Sequence, residues 1–137
     1  MCNNGIRLAT AVALALAGAL HAYGQDENTP EAMAVIQQGE IGSLLYDSVR
    51  TFGANKRFEA SILWADSGVQ RPADHLTRKV RYTANCGAGT LTVVAVGVYD
   101  RSGQLLKSLI SPPGAADPAT PAPGSPQARW LEQVCRE

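Results

Sequence analysis

Three strand-length runs between residues 76 and 110 constrain this chain most. They cover residues 76–86, 90–100 and 104–110 and are rich in Val, Thr and Tyr, which favour extended structure. The loops between them are short and end on Gly89 and Gly103, and glycine adopts positive φ without a steric penalty. The pattern predicts an antiparallel three-stranded meander.

The flanking segments add further strands to this prediction. Residues 91–98 are apolar at successive positions, which predicts a central strand covered on both faces. Residues 56–65 alternate, with Phe58 and Ile62 on one face, as in a half-buried strand. Residues 43–52 are expected to be extended on either side of a turn at Asp47.

Residues 1–24 have the pattern of a secretory signal peptide. Arg7 is their only charge, an apolar run follows it, and small residues at Ala22 and Gly24 mark a cleavage site before Gln25. A spanning helix needs about 20 apolar residues, more than this run has. We therefore expect an exported protein without a membrane span after cleavage, located in the periplasm, at the cell surface or secreted.

The chain that remains is large enough for one domain. It is nearly neutral, because 11 of the 12 Lys and Arg residues balance 12 Asp and Glu residues. No overall field draws it toward nucleic acid or anionic lipid. We expect residues 25–42 to form an N-terminal segment with a short helix at residues 31–37, capped by Thr29, and residues 43–137 to form the domain.

Two cysteines, Cys86 and Cys135, lie beyond the predicted signal peptide. Two cysteines in an exported protein are expected to form a disulfide, and free thiols for metal binding or catalysis are the alternative.

The C-terminal third divides into a proline-rich loop and a helix. Residues 111–124 contain five prolines and are expected to be an exposed linker; a proline motif for a partner is the alternative. Ser125 is predicted to cap a helix in which Trp130, Leu131, Val134 and Cys135 share one stripe. The expected fold class is α+β, an antiparallel meander packed against this C-terminal helix in a single small domain.

The order and spacing of several short segments resemble those of the surface-adhesin protein E-like family of bacterial exported proteins. The matching residues are Tyr46-Asp47-Ser48 with Arg50, Ile62-Leu63-Trp64, Asn85-Cys86, Tyr99-Asp100, Gly103, Ser108, Pro123-Gly124-Ser125 and Cys135. The resemblance implies an antiparallel sheet on a C-terminal helix, bridged cysteines, and binding of host extracellular-matrix proteins. The lipid-attachment cysteine of the family's namesake has no counterpart after the predicted signal peptide.

Residues for catalysis are few. His75 is the one histidine beyond the predicted signal peptide, and a neighbouring Asp74 along the chain does not orient it as a catalytic triad would. We interpret it as a solvated loop residue. Asp47, Asp66 and Asp100 have the context of turn residues. We expect no enzyme activity, no cofactor and no metal site.

Basic residues form the remaining candidate site: Lys56, Arg57, Arg78, Lys79 and Arg81. If their two strands are neighbours, they form a basic patch on one sheet edge, suited to acidic stretches of a protein or polyanionic glycans. The alternative is a solvated strand face, where lysines block unwanted pairing. The sequence thus favours a non-enzymatic binding protein that contacts host or envelope proteins, with a soluble periplasmic accessory or inhibitor-like protein as the alternative.

Overall fold

The computed structural model describes residues 29–65, 68 and 70–136. The predicted signal peptide and the predicted first mature residue, Gln25, lie outside these residues. None of the helices in the described part of the chain has the length and apolar character needed to cross a membrane.

Five antiparallel strands form one sheet in chain order, and a helix lies at each end of the described chain. The strands are β1 (Glu40–Phe52), β2 (Asn55–Trp64), β3 (Thr77–Asn85), β4 (Thr90–Tyr99) and β5 (Leu105–Ile110), and the helices are α1 (Pro30–Met33) and α2 (Pro126–Cys135). The predicted meander is confirmed as β3–β4–β5. Glycines at positive φ, Gly53 and Gly89, turn the hairpins β1–β2 and β3–β4.

The sheet buries one face. Alternate residues of β2 and β3 are buried, among them Phe58, Ile62, Val80 and Tyr82. Trp130 of α2 lies against this layer, with its ring centroid 6.5 Å from Phe58 and 6.0 Å from Tyr82. The α+β class and the helix on the sheet are therefore confirmed.

The helix α2 begins and ends as the sequence predicts. The Ser125 hydroxyl accepts a hydrogen bond from the Ala128 amide at 3.2 Å, and Pro126 occupies the first turn. A Cys86–Cys135 disulfide, with its Cα atoms 5.6 Å apart, joins the chain after β3 to the end of α2. The bridge was also predicted, and it holds the helix across the buried face.

The N-terminal half differs from the prediction at two places. Helix α1 ends at Met33, short of the expected residue 37, because the Arg78 side chain donates to the carbonyls of Met33 and Val35 at 2.8 and 3.2 Å. The expected turn at Asp47 is an irregularity within the single strand β1. There the Ser48 hydroxyl takes the place of a backbone carbonyl in the β1–β2 ladder and accepts a hydrogen bond from the backbone amide of Glu59 at 2.8 Å.

The outer face of the sheet corrects the prediction, and the proline-rich loop, although most of its residues are exposed as predicted, is not a free linker. Residues 111–124 include a bridge between Leu91 and Ala119, with two backbone hydrogen bonds of 2.9 Å, so part of the loop pairs with β4. The second face of β4 is not covered by any element of the described chain. Small residues, Ala95 and Gly97, point to that face, so leaving it open exposes little apolar surface.

Candidate functional site

The uncovered side of the sheet, called the open face below, carries most of the predicted basic residues. Strands β2 and β3 are hydrogen-bonded neighbours, with Glu59 opposite Arg81 and Ser61 opposite Lys79. Phe58 and Val80, next to these positions, point into the core. Since successive side chains of a strand alternate, Lys79 and Arg81 point outward, together with Arg57.

Two of the five predicted residues do not lie on the open face. Arg78 points to the opposite side and is buried, with 5% of its surface exposed. Lys56 is opposite Ala84, on the helix side at the end of the sheet, where its ammonium donates to the Thr51 hydroxyl at 3.0 Å. The predicted position is corrected as well: β3 is the middle strand, so the basic residues form a patch on a face and not on an edge.

A further arginine joins the patch. Arg50 of β1 lies directly opposite Arg57, and both are exposed. Like charges at opposed positions destabilise a sheet, but each of these has local partners. The Arg50 guanidinium donates to the carbonyls of Asp47 and Val49 at 2.8 Å each, and the Arg57 guanidinium lies 4.6 Å from the Phe52 ring centroid.

We call the set Arg50, Arg57, Lys79 and Arg81 the cationic face. Among strand residues that the register assigns to the open face, these four positive charges meet one carboxylate, that of Glu59. In a nearly neutral chain this imbalance is a local feature. It gives one side of the sheet a positive potential that attracts anionic groups.

The single carboxylate is already engaged. Glu59 Oε1 accepts from the Arg81 guanidinium at 3.0 Å, with half of the Arg81 side chain exposed. An exposed pair of this kind contributes only about 0–1 kcal/mol, so an incoming carboxylate can compete for Arg81 at low cost.

A shallow cavity of about 180 Å³ lies beside this pair. Its lining is Glu59, Lys79, Arg81, Ala95, Val96, Gly97, Tyr99, Ser108 and Ile110. The floor exists because Gly97 has no side chain: a Cβ there would lie 3.1 Å from the Tyr99 ring, which crosses over the glycine. The Lys79 ammonium lies 5.4 Å from the centroid of the same ring. The cavity therefore has a cationic wall and an aromatic wall.

Apolar side chains border the cationic face. Ile110 is 73% exposed, Phe52 53% and Leu105 50%, and all three occupy open-face positions. A surface that combines arginines, a tyrosine and exposed apolar groups has the composition of a protein-binding surface.

A second cluster, which the sequence interpretation missed, lies at the start of β1. The Arg78 guanidinium donates to the carboxylate of Glu40, and the Glu40 side chain is 2% exposed. The same carboxylate accepts a hydrogen bond from the backbone amide of Gln37 at 3.3 Å. His75 Nε2 lies 3.4 Å from the same carboxylate. The charges are close to fully buried, so this cluster ties α1, β1 and β3 together.

His75 is therefore not the solvated loop residue that the sequence suggested. Its ring is largely buried and packs edge-on against Trp64 at a centroid distance of 5.2 Å. Neither ring nitrogen makes a hydrogen bond within the described chain. No single sequence position signals this contact, because Glu40, Trp64 and His75 come from three separate segments.

The other titratable groups have structural explanations. Asp100 accepts hydrogen bonds from Ser102 and from the Gln104 amide, which lower its pKa and hold the β4–β5 turn, as its context predicted. Burial raises the pKa of Tyr82 to about 12, against the opposing effects of its Gln127 hydrogen bond and the Arg78 charge. In the described residues, no group of three His, Cys, Asp or Glu side chains is placed to hold a metal ion.

Comparison with known proteins adds no relative: no family model, curated protein or solved structure matches this chain. The resemblance to the surface-adhesin protein E-like family stays a prediction.

Proposed function

We propose that this chain is an exported, non-enzymatic binding protein that contacts acidic stretches of a protein partner through its cationic face. The observation that carries the proposal is the charge imbalance on the open face, four cations against one carboxylate, around an aromatic cavity. The family resemblance implies a host protein as the partner, and an envelope protein is the other partner that we expect.

The size of the cavity supports a macromolecular partner. Sites for small ligands usually enclose about 300–1,000 Å³, whereas this cavity measures about 180 Å³ and is shallow. It has room for one side chain of a partner. An aspartate or glutamate there would meet Lys79 and Arg81, while neighbouring apolar residues of the partner would contact Ile110.

The lining of the cavity supports binding rather than catalysis. Ser108 is the one aliphatic hydroxyl in the lining, and no histidine lies beside it to act as a base. The Glu59 carboxylate is the one acidic side chain in the lining, so no second carboxylate is present there to share acid–base chemistry with it.

The energetics require several charges to act together. An exposed ion pair is worth about 0–1 kcal/mol, so one contact alone gives no useful affinity. Three or four pairs with the added burial of Ile110 and Tyr99 would give measurable binding. Such binding weakens as salt rises, because the screening length falls from about 8 Å at physiological ionic strength to about 3 Å at 1 M.

The test compares two variants of equal net charge. Lys79→Glu with Arg81→Glu reverses the cationic face. Arg129→Glu with Arg136→Glu makes the same charge change at two exposed positions, one on α2 and one at its C-cap. Binding of a short glutamate-rich peptide, measured by isothermal titration calorimetry at rising salt, should be lost in the first variant and kept in the second. Equal loss in both would show a net-charge effect only.

The same titration with a sulfated oligosaccharide tests the class of partner. Preference for the oligosaccharide over the peptide would contradict a protein partner.

Fractionation of the producing cells separates the two sequence-based alternatives. Protease accessibility at the surface agrees with an adhesin, and recovery with soluble periplasmic proteins agrees with an accessory or inhibitor-like protein.

A further inference from the structure

The cavity on the open face has a shape that follows from the strand register. Two rows of residues cross β3, β4 and β5 there: Arg81, Ala95 and Ile110 in one row, and Lys79, Gly97 and Ser108 in the next. The middle residue of each row carries a methyl group or no side chain, so β4 is the floor and the longer side chains of β3 and β5 are the walls. The backbones of the two walls are two strand spacings apart, about 9–10 Å.

The Tyr99 ring closes one end of this cavity. It lies over Gly97, where a Cβ atom would come within 3.1 Å of it. The enclosed volume is about 180 Å³. Cavities of about 150 Å³ bind benzene, so this one has space for an aromatic ring with a small substituent. An aspartate or glutamate side chain would leave part of it unfilled.

The apolar part of the lining suits an aromatic ring. Tyr99 offers a ring for offset or edge-on packing, the arrangements that aromatic pairs prefer. Ile110 on the opposite side is 73% exposed and would be covered by a ring placed in the cavity. A ring needs about 3.5–4.0 Å to the carbon atoms on each side, which a separation of about 9–10 Å between the walls allows.

The polar part of the lining suits a tetrahedral anion. The Lys79 ammonium and the Arg81 guanidinium lie on one wall, and the Ser108 hydroxyl lies on the other. Arg81 donates to Glu59 at 3.0 Å and has further N–H groups, because a guanidinium carries five. A tetrahedral anion presents oxygens in several directions and can accept from both walls, whereas a carboxylate presents its two oxygens in one plane.

The charges of the lining favour an anion with a single negative charge. Lys79 and Arg81 are positive and Glu59 is negative, which leaves one net positive charge. A sulfate ester matches it with one negative charge. A phosphate ester carries about 1.5–2 negative charges at pH 7, and Glu59 would repel the excess.

We propose that the cavity binds an O-sulfated tyrosine side chain of the partner protein, with the sulfate between Lys79, Arg81 and Ser108 and the ring against Tyr99 and Ile110. This inference rests on the proposed function, because it names the side chain that the partner places in the same site. The ring contacts are absent for glutamate. They should make a sulfotyrosine peptide bind about tenfold more tightly than a glutamate peptide of the same charge.

The first test compares four peptides on the wild-type chain by isothermal titration calorimetry in low-salt buffer. The peptides share flanking glutamates and differ at one central residue, which is sulfotyrosine, phosphotyrosine, tyrosine or glutamate. The sulfotyrosine peptide should bind most tightly. A phosphotyrosine, tyrosine or glutamate peptide that binds as tightly as the sulfotyrosine peptide would overturn the proposal.

Variants of the lining test where the preference arises. Gly97→Ala pushes the Tyr99 ring into the cavity, and Tyr99→Leu removes the ring in case the first variant does not fold. Each should bind the sulfotyrosine peptide no more tightly than the glutamate peptide, while the glutamate peptide binds as to the wild type. Tyr46→Leu is the matched control, because Tyr46 is 61% exposed and lies outside the lining, and it should keep the preference. A preference that survives in a folded Tyr99→Leu variant would contradict the proposal.

The Glu59→Gln variant tests the choice of sulfate. It removes the negative charge beside Arg81 and should tighten binding of the phosphotyrosine peptide more than that of the sulfotyrosine peptide. An unchanged ratio of the two affinities would overturn the assignment to sulfate. If the wild-type chain binds the glutamate and sulfotyrosine peptides equally, this inference fails and the proposed function stands; if it binds neither peptide, both fail.

Discussion

The substitution Glu40→Gln should lower the free energy of unfolding by more than the small difference in side-chain shape suggests. The change removes one negative charge and leaves Arg78, a cation whose side chain is 6% exposed, without its ionic partner. Removing one member of a buried ion pair costs about 3–5 kcal/mol, because the remaining charge keeps its desolvation penalty. In the variant Arg78 still donates hydrogen bonds to the carbonyls of Met33 and Val35. The expected loss of stability is therefore near the lower end of this range, at about 3 kcal/mol.

Urea unfolding followed by circular dichroism measures this loss. With a slope of about 1–3 kcal/mol per M for a small domain, the midpoint should fall by about 1–3 M at an unchanged slope. Glu132→Gln is the matched control, since it breaks an Arg–Glu pair with Arg136 in which both side chains are mostly exposed. The control should cost less than about 0.5 kcal/mol.

A double replacement separates the charge from the contact. Glu40→Gln combined with Arg78→Met removes both charges and should recover most of the stability lost in the single variant. A Glu40→Gln variant as stable as the Glu132→Gln control would contradict this prediction, because the buried cluster would then contribute no more than a surface pair.

Two further predictions concern the core. Replacing Cys86 and Cys135 together by alanine opens a loop with a sequence separation of 49 and should lower the free energy of unfolding by about 4 kcal/mol. Reductant should destabilise the wild type but not this variant. A wild type whose stability does not change with reductant would contradict this prediction. Burial raises the pKa of Tyr82 to about 12. The neutral phenol therefore stabilises the folded chain, and this stabilisation is complete below the unfolded pKa of about 10 and is lost as the pH rises to about 12. That loss, about 2–3 kcal/mol, should appear in unfolding curves of the wild type and be absent from Tyr82→Phe; parallel pH profiles would argue against it.

The parts of the fold that depend on local pattern were predictable. Alternating residues gave β2 and β3, glycine loops gave the hairpins, and Ser125 with Pro126 gave the start of α2. The disulfide followed from two cysteines in a chain expected to be exported. Each of these inferences needs only neighbours along the chain or a count.

The parts that depend on register were not predictable. Alternation along β3 puts Arg78 on the same face as Val80, but its burial depends on the Met33 carbonyl and the Glu40 carboxylate, which come from distant segments. Arg50 joins the cationic face because the irregularity in β1 changes which face the residues after it occupy. The sequence marks the residues of this irregularity only as a turn. His75 is buried because Trp64 and Glu40 close over its loop, a contact between three segments that no local pattern reports.

A nuclear magnetic resonance titration of the ¹⁵N-labelled wild-type chain with a glutamate-rich peptide at low salt shows, residue by residue, whether the cationic face binds acidic groups. We expect amide shifts to concentrate on the open face, at Lys79, Arg81, Gly97, Tyr99 and Ser108, and to disappear when salt is raised. Shifts centred on α2, or shifts that persist at high salt, would contradict this expectation.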